Sequence, residues 1–271
     1  MITRIIAAVV LLPLLLIVLL LMPAVWTAIL FSAVCAVGAY ELLWGTGLVR
    51  KVRPVIYTVV IAALIPVWCY MGCDATLAKA GLVVFFCLLF MEIMLSKLKL
   101  GFDQLAVCLF GGMVIPYLLS SLVRISIVFN GKYLILIPFA VAFMSDSGAY
   151  FVGCAIGKHK MAPTISPKKS WEGFFGGLVS GVLGMILYVV VLQFGFGFTV
   201  NYLHAAIYGL AGSLAGVFGD LCFSAVKRQT GIKDYGNLIP GHGGVLDRFD
   251  SIIVVAPLIE LLLQWFPVVV K

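Results

Sequence analysis

Residues 174–192 read FFGGLVSGVLGMILYVVVL, nineteen positions without a charge. A helix rises about 1.5 Å per residue, so about 20 apolar residues cross the hydrocarbon core of a bilayer. Working outward from this run, stretches of the same kind recur at 5–22, 24–43, 55–71, 77–95, 105–122, 133–156, 204–226 and 249–269. The chain is 63% hydrophobic and only 11% charged, with a mean hydropathy of +1.20. So little polar surface excludes a soluble globular domain. The sequence predicts an all-α, polytopic integral membrane protein with about nine transmembrane helices. It leaves no room for a separate soluble domain. Residues 1–130 form a generic N-terminal bundle, and residues 131–271 carry the two long polar loops, within one continuous membrane domain. Arg4 ahead of an apolar run imitates a signal peptide, but a second span follows directly after Pro23, so an uncleaved first helix is expected.

The basic residues divide unevenly under this count. One side receives Arg4, Arg50, Lys51, Arg53, Lys97, Lys99, Lys158, Lys160, Lys168, Lys169, Lys227, Arg228, Lys233 and Arg248; the other receives only Lys79, Arg124, Lys132 and Lys271. Cytoplasmic loops carry the excess of Lys and Arg, which places the N-terminus and both polar loops in the cytoplasm and the C-terminus outside. The expected location is the cell (inner) membrane. The net charge of +7 therefore reports topology and contact with anionic lipid rather than nucleic-acid binding. The seven cysteines show no CxxC pair and no neighbouring histidine, which argues against zinc. Glycines at 173, 176, 177, 181 and 184, and at 209, 212, 216 and 219, let helices approach closely, and a homodimer is compatible with such a bundle.

Chemistry concentrates in the polar segments. Residues 224–250 read SAVKRQTGIKDYGNLIPGHGGVLDRFD. Glycines let consecutive N–H groups turn toward an anion, basic side chains bind phosphate oxygens, and carboxylates hold Mg²⁺. Asp247 and Asp250, three apart at an expected helix start, would share a face. A solvated loop made basic only for topology would account for Lys227 and Arg228. It leaves three aspartates and a Gly-rich turn unexplained. Residues 157–173, GKHKMAPTISPKKSWEG, form the second polar loop, where Pro167 suits the first position of a helical turn and Lys168 and Lys169 suit a phosphate or nucleotide contact. Asp146 lies within the sixth span and Asp220 toward the cytoplasmic end of the eighth; carboxylates at such depth face a partner or a polar interior. Glu41 and Glu92 read as interfacial, and Glu260 as a helix-packing contact or a functional group.

Ser224, Lys227-Arg228, Lys233-Asp234 and Pro240-x-His242-Gly243-Gly244-x-x-Asp247-Arg248-x-Asp250 together resemble the signature of the phosphatidate cytidylyltransferases (CDP-diacylglycerol synthases). Ser145 to Tyr150 and Ser166 to Gly173 resemble that family's pattern in the same order. The resemblance covers roughly the second half of the chain. It implies transfer of the cytidylyl group of CTP to phosphatidic acid, giving CDP-diacylglycerol and pyrophosphate, with Mg²⁺ as cofactor and room for an assisting K⁺. It implies Asp220 and Asp247 as the central metal-linked carboxylates, with Asp250 and Asp146 near them. The expected catalytic set is Asp220, Asp247, Lys168, Lys227, Arg228 and Arg248. Ser166, Lys169, Lys233, His242, Gly243 and Gly244 are expected to hold phosphate or substrate. The lipid phosphate would attack the α-phosphorus directly, needing no strong base, so His242 reads as a hydrogen-bond donor. A CTP-dependent lipid kinase would use the same equipment. An ion-coupled transporter would use Asp146 and Asp220 as ion ligands, but the inverted repeats it calls for are not found in the sequence.

Overall fold

Backbone polar groups in hydrocarbon have no partner but one another, so the apolar runs fold as helices. The computed structural model describes residues 2–72, 74–238, 241 and 243–270. Helix α1 (Ile2–Leu21) ends before Pro23, whose extended backbone starts a new helix, α2 (Ala24–Tyr40). Helix α2 widens into a π-helical turn at Glu41–Gly45. Helices α3 (Val52–Met71) and α4 (Ala75–Leu95) follow, α3 closing on Gly72 at φ +59°. Four short pieces make the next span: α5 (Phe102–Leu109), a π-turn at Phe110–Val114, α6 (Ile115–Leu119) and α7 (Ser121–Ile127). After α8 (Gly131–Leu134) come the long helices α9 (Leu136–Ile156), α10 (Trp171–Phe196) and α11 (Tyr202–Gln229). The chain closes through α12 (Leu246–Phe249) and α13 (Ile252–Trp265). Among the described residues seven helical segments are long and apolar enough to cross a membrane, from Ala24–Gly45 to Tyr202–Gln229. Helix α13, expected as a ninth span over 249–269, has 14 residues, or about 21 Å, short of a hydrocarbon core of about 30 Å.

The chain divides into two compact units. One comprises Met1–Lys132 and Gln229–Phe249. In it α2 packs along α3, and Phe31, Leu42, Leu43, Phe85, Leu89, Leu105, Leu122 and Tyr235 are fully buried. The other comprises Tyr133–Arg228 and Asp250–Lys271, with α9 against α10 as its main contact. Helix α10 shows why these helices read as apolar all round. Gly173, Gly177, Gly181 and Gly184 are buried on one face, while Phe175, Val179, Leu183 and Leu187, all about 60% exposed, line another at the spacing of a lipid-facing stripe.

The second polar loop differs from its expected form. Strand β1 (Lys160–Ala162) pairs antiparallel with β2 (Ser166–Ser170), so Pro167 lies in a strand rather than at a helix start. An X-Pro step favours extended backbone, and a two-stranded hairpin has only edge strands, where the missing N–H costs nothing. The helix begins at Trp171 instead, with Ser170 Oγ accepting the Gly173 N–H at 3.2 Å. A second small pair, β3 (Thr199–Val200) with β4 (Val269–Val270), lies at the other ends of α10 and α13.

Candidate active site

In the unit built on α9 to α11, small residues set the distances that bring charges together. An added Cβ at Gly148 would collide with Ser180, one at Gly177 would sit 3.0 Å from the Ser145 carbonyl, and one at Gly209 would sit 2.5 Å from Val182 Cα. Gly219 lies so near the start of α13 that a Cβ there would be 2.7 Å from the Asp250 carbonyl. These approaches draw together Asp146 from the middle of α9, Asp220 and Lys227 from the end of α11, Asp250 before α13, and Lys169 from β2. Lys169 Nζ lies 2.6 Å from Asp220 Oδ2, and Ser224 Oγ donates to Asp220 Oδ1 at 3.1 Å. Lys227 Nζ lies 3.9 Å from Asp250 Oδ2. Asp146 interacts with the charges of Asp220 and Lys169, and Asp250 with those of Asp220, Lys227 and Asp146. Asp220 and Asp250 are thus each paired with one ammonium group, and Ser145 Oγ, next to Asp146 in the sequence, is buried and without a hydrogen-bond partner. Like charges crowded in a low dielectric call for compensating cations, and carboxylates so arranged attract more positive charge than two lysines bring.

Of the lysine pair 168–169, only one is placed at this cluster. Lys168 is exposed on one side of β2, and Lys169 turns inward to Asp220. Arg228 is exposed and donates from Nε to the Ile165 carbonyl at 3.1 Å, which ties the end of α11 to the hairpin. Ser166 pairs with Ala162 across the hairpin.

The glycine turn belongs to the other unit. Gly241 and Gly243 have φ of +76° and +82°, the left-handed region that glycine occupies without strain. Asp247 is buried, and its Oδ2 accepts the N–H of Tyr235 at 2.8 Å and of Gly244 at 3.0 Å. It thus ties Tyr235 to Gly244. Lys233, Asp234 and Arg248 are exposed. His242 lies outside the described residues. The shared helical face expected for Asp247 and Asp250 does not form: α12 ends at Phe249, and α13 starts only at Ile252. Glu41, expected as an interfacial residue, is 4% exposed, and both of its oxygens accept backbone N–H groups, of Val245 and Leu246.

A metal would find oxygen donors here. Among the described residues no group of three or more His, Cys, Asp or Glu side chains is placed to enclose an ion alone. Mg²⁺ is held by one or two carboxylates with water and phosphate oxygens completing its shell, and Asp220 with Asp250 fit that demand.

The sequence model of the cytidylyltransferase family matches residues 2–266. The chain belongs to the cytidylyltransferase family. It is 39% identical over 170 residues to the phosphatidate cytidylyltransferase of Staphylococcus haemolyticus, covering 62% of this chain and 63% of that protein. The match to the protein of the same name from Staphylococcus epidermidis is 38% over 184 residues, 68% of each chain. That from Bacillus subtilis is 44% identical over 126 residues, 46% of this chain and 45% of the relative. The chain thus matches just under two thirds of the Staphylococcus haemolyticus protein's length. Sequence reasoning missed the Lys169–Asp220 contact and the engagement of Glu41. A contact spanning more than 200 positions leaves no local signal.

Proposed function

We propose that this chain transfers the cytidylyl group of CTP to phosphatidic acid, releasing pyrophosphate and leaving CDP-diacylglycerol in the membrane. The observation that carries the reading is the cluster of Asp146, Lys169, Asp220, Lys227 and Asp250 in a chain of the cytidylyltransferase family. The names of its relatives support the same substrates. A phosphate oxygen of the lipid attacks the α-phosphorus of CTP as the bond to the β-phosphate oxygen breaks. Nucleophile and nucleotide are both anions, so positioning and charge compensation carry the rate. Lys169 and Lys227 are assigned to those phosphates, held in place by Asp220 and Asp250. The attacking phosphate is already ionised near neutral pH, so no side chain has to remove a proton. Asp220 and Asp250 would hold Mg²⁺, with Asp146 nearby and Asp247 as the further ligand expected from sequence. When bound, the ion supplies positive charge to the phosphates and to the charge that develops at phosphorus. The glycine turn at 241–244 is assigned to nucleotide phosphate, with Arg248 and Lys233 as exposed cations beside it in sequence. The excess of lysine and arginine on one side supports cytoplasmic polar loops, where CTP is available.

The test uses two labels. Purified full-length protein in mixed micelles with phosphatidic acid and Mg²⁺ should move label into chloroform-soluble lipid from α-³²P-CTP and none from γ-³²P-CTP. Lipid labelled from γ-³²P-CTP alone would make the chain a kinase, and label from neither would refute nucleotide transfer.

A further inference from the structure

Nothing in the transfer chemistry above uses the N-terminal helices, yet one of their carboxylates is fully committed. Glu41 stands at the start of the π-turn that ends α2. Its Oε1 accepts the Val245 N–H at 3.0 Å and its Oε2 the Leu246 N–H at 2.8 Å, across 204 and 205 positions of sequence. Hydrogen bonds to an ionised acceptor are about twice as strong as neutral ones. The carboxylate also shapes its surroundings. A Cβ at Gly244 would lie 2.5 and 2.6 Å from its two oxygens, and one at Gly236 would collide with the same group. Further along the turn, a Cβ at Gly45 would strike the Tyr235 carbonyl, and Gly38, before it on α2, faces Leu246. This end of α2 is therefore a bed for Tyr235 and Gly236 and for Gly244 to Leu246. A π-turn is a wide, rare departure from the α-helix and occurs mostly at functional positions.

Glu41 and Asp247 divide the work of holding that segment. Asp247 takes the N–H groups of Tyr235 and Gly244, and Glu41 takes the next two, of Val245 and Leu246. Four amides are thus fixed, that of Tyr235 ahead of Gly241 and Gly243 and those of Gly244, Val245 and Leu246 after them. Being negative and turned toward backbone, Glu41 is unsuited to bind phosphate itself. We infer that Glu41 is a positioning residue that sets the glycine turn for nucleotide phosphate. This rests on the reading of the chain as a CTP-dependent transferase. It also gives the N-terminal helices a part in the reaction, through the far end of α2.

Glu41→Gln keeps the size of the side chain and one acceptor oxygen but removes the charge and turns an NH₂ toward a backbone N–H. The full-length variant should show a KM for CTP raised about 10-fold, the loss of one charge-assisted hydrogen bond. Its KM for phosphatidic acid and its unfolding temperature in detergent should match wild type. Glu41→Asp, which keeps the charge but shortens the reach, should recover part of the loss, and it carries the comparison if Glu41→Gln does not fold. Hydrogen exchange supplies a readout without activity: the amides of Val245 and Leu246 should exchange faster in Glu41→Gln, with α10 unchanged. Unchanged KM for CTP and unchanged exchange would overturn the inference. So would loss of folded protein in both variants, which would make Glu41 a structural residue only. A wild type that labels no lipid would refute the transferase reading instead, while the exchange comparison would still test whether Glu41 holds the turn.

Discussion

Replacing Lys169 with methionine keeps the length and most of the apolar stem but removes the ammonium that lies 2.6 Å from Asp220. The two side chains are 24% and 30% exposed, so this is neither a surface pair nor a sealed one. Exposed pairs contribute about 0–1 kcal/mol, whereas a hydrogen bond to a charged group contributes about 1.5–3 kcal/mol. An intermediate value of about 2 kcal/mol corresponds to about 30-fold at 1.4 kcal/mol per decade. Lys169→Met is therefore expected to lower kcat/KM for CTP about 30-fold in the α-³²P-CTP assay, with Asp220→Asn lower still. The double variant should be little worse than Asp220→Asn alone, because the lysine acts on and through that carboxylate. Independent sites add within about 0.3–0.5 kcal/mol. Losses that multiply to that accuracy, or a Lys169→Met enzyme within twofold of wild type, would refute the coupling.

Gly209→Ala should lower the unfolding temperature in detergent by several degrees, because a Cβ 2.5 Å from Val182 Cα forces backbone apart and such overpacking costs about 1–3 kcal/mol; an unchanged transition would contradict the helix contact. His159→Ala should change stability by less than about 1 kcal/mol, although His159 Nδ1 lies 2.6 Å from Glu172 Oε1, because the histidine is 79% exposed. Chelation of divalent ions should stop label transfer and added Mg²⁺ should restore it; transfer that persists in excess chelator would remove Mg²⁺ from the account.

The membrane helices were legible because the property that makes them is local. A run such as 174–192 announces its length and its solvent by composition alone, and the helix found, Trp171–Phe196, extends it by about a turn at each end. The polar residues of the candidate site were legible for a related reason: a carboxylate such as Asp146 or Asp220 stands out in an apolar helix. What escaped reading depends on partners. Pro167 fits a helix start and an edge strand equally well by its own φ, and only pairing with Lys160–Ala162 decides between them. Asp247 and Asp250 are spaced for one helical face, but α12 ends at Phe249 and α13 begins at Ile252, so one helix does not carry both. Glu41 sits at a helix end where an interfacial acid is ordinary, and its two acceptor contacts lie more than 200 positions away.

The central claim is that the cluster around Asp220 carries cytidylyl transfer to lipid. Its most direct test is the initial rate of α-³²P-CTP incorporation into phosphatidic acid by purified wild type and Asp220→Asn, with the unfolding temperature of each measured in the same micelles. The account predicts labelled CDP-lipid from wild type and at least about a 100-fold lower rate from a variant that melts normally, the order of loss when a group acting on transition-state charge is removed. Equal rates from the two proteins would contradict it.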